Sequence, residues 1–136
     1  MTLGKNIGMI GLGYWGKNIL RNLNELGVLH TACDTDEQLI EIRKKEYPQI
    51  QFVVSPEELI QHPDIDAVVI AAPAVAHYKL AKQALQAGKD VFVEKPLALT
   101  VVEGEELVRM AADLKKILMV GHILQYHPAV RKLREM

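Results

Sequence analysis

The chain has 136 residues, of which 49% are hydrophobic and 24% charged, and its formal net charge is −1. This length fits one domain, and the composition excludes a disordered tail, a collagen-like repeat and a coiled coil. The balanced charge argues against nucleic-acid and anionic-membrane partners, and no segment reaches the ~20 apolar residues of a membrane span. The single cysteine, Cys33, cannot pair within the chain, so we expect a reducing compartment and a cytoplasmic protein.

Apolar strand patterns and helix patterns alternate along the whole chain. The predicted strands are Asn6–Ile10, Val28–Cys33, Ile50–Val54, Ala67–Ala71, Asp90–Glu94 and Leu118–Gly121. The predicted helices are Tyr14–Leu26, Asp36–Glu46, a segment with Ser55 as its N-cap and Pro56 at its first position, Val75–Ala87, a segment from Thr100 to about Lys115, and an amphipathic segment from Pro128. Glycines after the first and fourth helices, and the capping pair Thr100 and Glu103, support these boundaries.

Strand–helix alternation with apolar strands predicts an α/β fold, namely a doubly wound parallel sheet in three α/β/α layers with right-handed crossovers. Six strands allow the Rossmann order 3-2-1-4-5-6. Periodicity alone does not give that order. It follows only if the first turn binds a dinucleotide.

The first turn carries the string Gly11-Leu12-Gly13-Tyr14-Trp15-Gly16 between a predicted strand and a predicted helix. In this context Gly11 permits the tight turn, Gly13 lets the backbone approach a pyrophosphate, and Gly16 lets the helix pack closely. The free N–H groups of the first helical turn, with Tyr14 and Trp15 among them, would face the phosphates. A plain strand–helix turn is the alternative.

Asp34 ends the second predicted strand, close to the position expected of a ribose-binding acid. A carboxylate there accepts hydrogen bonds from both ribose hydroxyls and repels a 2′-phosphate. This predicts NAD rather than NADP as the cofactor. The alternative is that Asp34 is a helix N-cap, a role that Thr35 or Asp36 could fill instead.

Two motifs end the fourth and fifth predicted strands at the carboxyl edge of the sheet, where such folds bind ligands. They are Ala72-Pro73 and Glu94-Lys95-Pro96. A lysine beside a bound nicotinamide could donate to a substrate oxygen or stabilise a developing alkoxide. Judged from spacing alone, Lys95 is more simply a solvated lysine at a strand end.

The glycine turn, Ala72-Pro73 with His77 five residues after Ala72, the Ala87-Gly88-Lys89 string and Glu94-Lys95-Pro96 together resemble the Gfo/Idh/MocA family of oxidoreductases. The segments Met119–His122 and Gln125–Pro128 also fit. The resemblance covers essentially the whole chain. Within the family, the sequence is similar to the branch that acts on nucleotide-linked amino sugars, such as UDP-N-acetylglucosamine.

The resemblance implies an N-terminal Rossmann domain that binds NAD(P) and moves a hydride between the nicotinamide and a sugar or cyclitol carbon. It implies that Lys95 contacts the substrate hydroxyl. It also implies that Ala72, Pro73, His77, Glu94 and Lys95 help to bind the cofactor. The family's proton-transferring histidine sits in a C-terminal α+β domain. We therefore expect residues 1–127 to be the NAD-binding domain and 128–136 to begin a linker helix toward a substrate domain that this sequence lacks. The family often has Asn where this chain has Ala74, and an Arg or an aromatic pair where it has Gln125-Tyr126.

The five histidines form no metal-binding spacing, so we predict no metal site. His77 lines the cofactor pocket or lies near solvent, and His122 has a structural role or approaches the nicotinamide. Trp15 covers the pyrophosphate or packs under the turn. Cys33 is predicted to be buried core, and the remaining basic cluster, Arg43-Lys44-Lys45, to be the solvated face of a helix.

Two functions remain open from the sequence. The first is an NAD-dependent dehydrogenase domain that takes a sugar or nucleotide-sugar substrate. The second is a non-catalytic dinucleotide-binding or oligomerising module, which the expected absence of a substrate domain suggests. The last segment presents Val130, Leu133 and Met136 on one side with nothing to cover them, which predicts a homo-oligomer or a weakly soluble monomer.

Overall fold

The computed structural model describes residues 4–136, in which six strands alternate with helices. The strands are β1 (Ile7–Ile10), β2 (Leu29–Cys33), β3 (Gln51–Val53), β4 (Ala67–Ile70), β5 (Asp90–Glu94) and β6 (Leu118–Gly121). The helices are α1 (Gly16–Glu25), α2 (Glu37–Glu46), α3 (Pro56–Gln61), α4 (Ala74–Gln86), α5 (Val101–Asp113) and α6 (Pro128–Glu135). A short 3₁₀ helix, Ile123–Tyr126, lies between β6 and α6.

All the strands pair in parallel, in the order β3-β2-β1-β4-β5-β6. Buried residues of α1 and α2 pack on one face of the sheet, and buried residues of α3, α4 and α5 pack on the other. The predicted α/β class, three layers and strand order 3-2-1-4-5-6 are therefore confirmed. The carboxyl ends of β1, β2, β4, β5 and β6 meet at one edge, which we call the carboxyl edge.

The largest difference from the predicted boundaries is at α1, which begins at Gly16 rather than at Tyr14. Residues 13–15 form the last part of the glycine turn, and α1 begins where the carbonyl of Gly11 packs against the Cα of Gly16 and leaves no room for a side chain. The strands β5 and β6 have the predicted bounds, and the remaining boundaries match or differ by one or two residues, as is usual at element ends.

Side-chain caps fix the starts of four helices, and the cap of α6 is His127. The Asp36 carboxylate accepts from the N–H groups of Gln38 and Leu39 at the start of α2. Ser55 caps α3 and Thr100 caps α5, as predicted. Because Asp36 caps α2, Asp34 is not the N-cap of that helix.

The helix α6 contacts the 3₁₀ helix before it and has no buried residue. Its Leu133 and Met136 side chains are exposed, while Val130 is half-buried. The exposed apolar side agrees with the sequence pattern, and the homo-oligomer inferred from it stays a prediction. Within residues 4–136, the helices are all too short or too polar to cross a bilayer.

Candidate functional site

The glycine turn joins β1 to α1 at the carboxyl edge. Gly11 has a φ of +100°, and a Cβ there would lie 2.5 Å from the backbone of Ala71. A side chain at Gly11 is therefore excluded for two reasons. Its positive φ is unfavourable for other residues, and a Cβ would clash with the backbone at the end of β4.

The other two glycines of the turn meet very different surroundings. A Cβ on Gly16 would lie 2.1 Å from the carbonyl oxygen of Gly11, so only glycine lets α1 pack against the strand end. A Cβ on Gly13 would meet nothing within 4 Å. The space beside Gly13 is therefore open to a ligand. No neighbouring atom of the described residues excludes a side chain at this position.

Four backbone N–H groups in this turn have no acceptor among the described residues, namely those of residues 13–16. In contrast, the N–H of Gly11 donates to the carbonyl of Cys33, and that of Leu12 donates to the carboxylate of Asp34. Free N–H groups in front of a helix N-terminus are a binding site for phosphate oxygens. The turn therefore fits the pyrophosphate of a dinucleotide.

Asp34 follows β2 and faces the glycine turn. Its Oδ2 accepts from the Leu12 N–H at 2.8 Å, and its Oδ1 accepts from the Asp36 N–H at 2.9 Å. A carboxylate has about four acceptor positions, so two remain for the hydroxyls of a ribose. Asp34 thus fixes the turn and keeps capacity for a ligand.

Arg43 corrects one sequence-based prediction. Its side chain is only 12% exposed, because Nη2 donates to the Leu12 carbonyl and Nη1 donates to Glu46. The prediction of a solvated face is wrong for Arg43, although Lys44 and Lys45 are exposed. Asp34 accepts from the N–H of Leu12, and Arg43 donates to its carbonyl. The sequence does not indicate this contact, because Arg43 belongs to a run of basic residues.

A cleft of about 790 Å³ runs along the carboxyl edge beside the glycine turn. We call it the turn cleft. Its lining includes Gly11, Gly13, Asp34, Ala72 and Pro73, which the sequence had assigned to cofactor binding. The structure therefore brings these residues together around one space of the size that ligand sites have.

A second cavity of about 440 Å³ adjoins the turn cleft through Ala71 and Ala72. We call it the lysine cavity, because Lys95 lines it together with Trp15, His77 and Glu94. Lys95 itself is exposed, and it follows directly after β5. The amine is thus available at the edge where the turn cleft ends.

Trp15 connects the glycine turn to the end of β5. Its Nε1 donates to Glu94 Oε1 at 3.1 Å, and 43% of the residue stays exposed. Trp15 thus lies beside the turn at the lysine cavity rather than under the turn. Tyr14 is 85% exposed and lines neither the turn cleft nor the lysine cavity.

Gly121 is a site residue that the sequence reasoning missed. A Cβ on Gly121 would lie 2.8 Å from Glu94 Oε1, so this glycine makes room for the glutamate side chain. A glycine at the end of a strand was the available signal, since it often marks a close approach of another group.

His77 lies in the first turn of α4 and is 1% exposed. Both ring nitrogens contact backbone carbonyls, and the ring lines the lysine cavity. Of the two alternatives for this histidine, the one near solvent is wrong, because the ring is enclosed between the ends of β4 and β5.

His122 and Gln125 are exposed beyond the end of β6. His122 lines a groove of about 550 Å³ together with Trp15 and Glu94, whereas Gln125 does not line it. An approach of His122 to the nicotinamide stays a prediction.

One group of possible metal ligands lies at the opposite edge of the sheet. Donor atoms of His30, His62 and Asp64 lie within 4.8 Å of one another. However, the Nδ1 of His62 accepts the Asp64 N–H, and the Nδ1 of His30 is 2.8 Å from the hydroxyl of Thr31. Sequence spacing could not reveal this group, because its members come from different elements, and the prediction of no metal site stays a prediction.

Cys33 is fully buried in the core, as predicted. Burial, with smaller contributions from the nearby carboxylates, raises the pKa of its thiol to about 12. We therefore expect no reaction of the folded chain with a thiol-specific disulfide reagent at pH 8, and full reaction after unfolding in guanidinium. Rapid labelling of the folded chain would contradict the buried position.

A family model described as an oxidoreductase family with an NAD-binding Rossmann fold, Gfo/Idh/MocA, matches residues 5–122. An uncharacterized oxidoreductase of Escherichia coli is 35% identical over 122 residues, which are 85% of this chain and 34% of the relative. The UDP-N-acetylglucosamine 3-dehydrogenase of Acidithiobacillus ferrooxidans is 29% identical over 133 residues, which are 94% of this chain and 40% of that enzyme.

A solved structure that contains bound ligands has a similar fold. The scyllo-inositol dehydrogenase of Lactobacillus casei, with NAD(H) and scyllo-inositol, superposes with a TM-score of 0.87 at 27% identity, over 97% of this chain and 40% of that one. This chain thus spans about a third to two-fifths of the length of these relatives.

Proposed function

Because the chain belongs to the Gfo/Idh/MocA oxidoreductase family and its matched residues are the NAD-binding Rossmann fold, we propose that it is the cofactor half of a dehydrogenase acting on a sugar or nucleotide-sugar hydroxyl. The observation that supports the proposal is that three groups lie at the carboxyl edge. They are the free N–H groups of the glycine turn, the carboxylate of Asp34 and the amine of Lys95.

The residues present fit a dinucleotide along the two connected cavities. The turn would bind the pyrophosphate and Asp34 the adenosine ribose, so the nicotinamide end would extend past Ala72 toward the lysine cavity. A bound nicotinamide cofactor supplies the acceptor for the hydride that leaves the alcohol carbon. As the C–H bond breaks, the hydroxyl proton would pass to a base, which the family resemblance places in a C-terminal domain, and the C–O bond would become the C=O bond of the product. Negative charge develops on the oxygen while its proton leaves.

Lys95 is the residue of this chain that can act on that oxygen. Its ammonium would donate a hydrogen bond to the hydroxyl and stabilise the developing negative charge. By their names, the UDP-N-acetylglucosamine 3-dehydrogenase acts on a nucleotide sugar and the scyllo-inositol dehydrogenase on a cyclitol, and both substrates carry several hydroxyl groups. A secondary hydroxyl of a sugar ring is therefore the substrate group that we propose.

Lys95→Met tests the role of the amine and keeps most of the side-chain length. We expect NADH to bind within about twofold of the wild type, because the amine is not part of the turn cleft. With the full-length protein and its sugar substrate, kcat should fall by a factor on the order of 10²–10³, the usual effect of losing a group that stabilises an oxyanion.

Lys45→Met is the matched control, since Lys45 is an exposed lysine on α2 that lines neither the turn cleft nor the lysine cavity. It should leave kcat within about twofold of the wild type. Calorimetric titration with NADH comes first. Absence of binding at millimolar NADH would contradict the cofactor role of the whole domain, whereas an unchanged kcat in Lys95→Met would contradict only the role of the lysine.

A further inference from the structure

The ring of His77 joins two backbone segments at the carboxyl edge. Its Nε2 lies 2.7 Å from the carbonyl oxygen of Ala72, and its Nδ1 lies 2.6 Å from the carbonyl oxygen of Pro96. The residue is 1% exposed, so water cannot replace either partner. We call this pair of contacts the His77 bridge.

The chemistry of the two partners restricts the ring. A carbonyl oxygen only accepts hydrogen bonds, and a neutral imidazole carries a single N–H. Both contacts are hydrogen bonds only when the ring carries both protons. With one proton, a ring nitrogen and a carbonyl oxygen would face each other with lone pairs, and one side of the bridge would be released.

The His77 bridge lies where the sheet no longer connects the two segments. The ladder between β4 and β5 ends at Ile70 and Val93. Ala72 follows the end of β4, and Pro96 follows Lys95 directly. Lys95 therefore sits between the last residue paired with β4 and a carbonyl held by His77.

We infer that His77 is a positioning residue for Lys95, which holds the strand end carrying the amine against the end of β4 and so fixes the amine beside the nicotinamide end of the cleft. This inference rests on the proposed function of Lys95. It assigns His77 no contact with the reacting atoms.

None of the charged groups around the His77 bridge among the described residues competes with the two carbonyls for a hydrogen bond to the ring. Glu94 and Lys95, at the end of β5, line the same cavity as the ring. On α5, Glu106 accepts from Tyr78 and Lys82, and Glu103 accepts from the N–H of Leu99. On α3, Glu57 lines the turn cleft with Lys79 and not the lysine cavity. No acidic side chain among residues 4–136 is hydrogen-bonded to His77.

The rate at which the Lys95 amine is acetylated depends on its surroundings, so it can be used to follow the position of the amine without measuring catalysis. The chain is treated with a limiting amount of an amine-acetylating reagent, with and without saturating NAD⁺, and each lysine is quantified by peptide mass spectrometry. The internal reference is Lys115, an exposed lysine after α5. The variants are His77→Leu, which removes both ring nitrogens, and His77→Gln, which keeps an amide donor for one carbonyl.

Tyr78→Phe is the matched control, because Tyr78 is the next residue of α4 and its hydroxyl bonds to Glu106 and Lys82 away from the bridge. In both His77 variants we expect the Lys95/Lys115 acetylation ratio without ligand to rise at least about threefold, and the protection of Lys95 by NAD⁺ to fall by a similar factor. Tyr78→Phe should change both values by less than about 1.5-fold. Far-UV circular dichroism identifies the variants that fold.

An unchanged Lys95/Lys115 ratio in a folded His77 variant, or an equal change in Tyr78→Phe, would overturn the positioning role. If His77→Leu does not fold, His77→Gln decides the question. If the wild-type chain binds no NAD⁺, the proposed function fails, while the ratio measured without ligand still decides whether His77 positions Lys95.

Discussion

Replacing Asp34 with asparagine should weaken NADH binding by at least about tenfold and remove most of the discrimination against NADPH. The first effect follows because a hydrogen bond from a ribose hydroxyl to a charged acceptor is worth about 1.5–3 kcal/mol, and 1.4 kcal/mol corresponds to a factor of ten. The second follows because the negative charge that repels a 2′-phosphate is gone. Calorimetric titration of each variant with NADH and NADPH measures both effects.

Asparagine is the informative substitution because it retains one acceptor oxygen for the Leu12 N–H, while its NH₂ group replaces the oxygen that accepts from Asp36. The Asp34 carboxylate holds the Leu12 N–H, and alanine would also release the glycine turn. The control is Asp36→Asn, two residues further along and in the same cleft. Asp36 uses a single oxygen for both of its capping hydrogen bonds, so asparagine preserves the cap of α2. Tighter binding of NADPH than of NADH to the wild type, or equal effects of the two substitutions, would contradict the role of Asp34.

The parts of the site that the sequence predicted are those in which backbone geometry depends on local residues. Gly11, Gly13 and Gly16 each occupy a position in one short turn, and Asp34 follows from the length of one strand–helix–strand unit. The strand order followed once that turn was interpreted as a dinucleotide site. Local patterns sufficed here because the elements involved are neighbours in the chain.

Contacts between distant segments could not be predicted in the same way. Arg43 belongs to a run of three basic residues, and its reach to the Leu12 carbonyl depends on how α2 packs beside the first turn. His77 is one of five histidines, and only the fold places its ring between the carbonyls of Ala72 and Pro96. Side chains that bridge elements are determined by tertiary packing, which has no periodic signal in a single sequence.

The substitutions Gly13→Ala and Gly16→Ala should separate cofactor binding from stability. At Gly16 the added Cβ meets the Gly11 carbonyl at 2.1 Å, so the backbone of the turn must shift. Overpacking of this kind costs roughly 1–3 kcal/mol or more, and we expect a lower free energy of unfolding together with loss of NADH binding. Urea unfolding followed by circular dichroism gives the first value, and titration gives the second.

At Gly13 the added Cβ meets nothing, so the free energy of unfolding should stay within about 0.5 kcal/mol of the wild type. The same methyl group would occupy the space in front of the free N–H groups of residues 13–16, where phosphate oxygens must approach. NADH affinity should therefore fall by at least about tenfold in a chain of normal stability. If Gly13→Ala bound NADH as tightly as the wild type, the pyrophosphate would not lie against this turn, and the cofactor site would have to be placed elsewhere along the carboxyl edge.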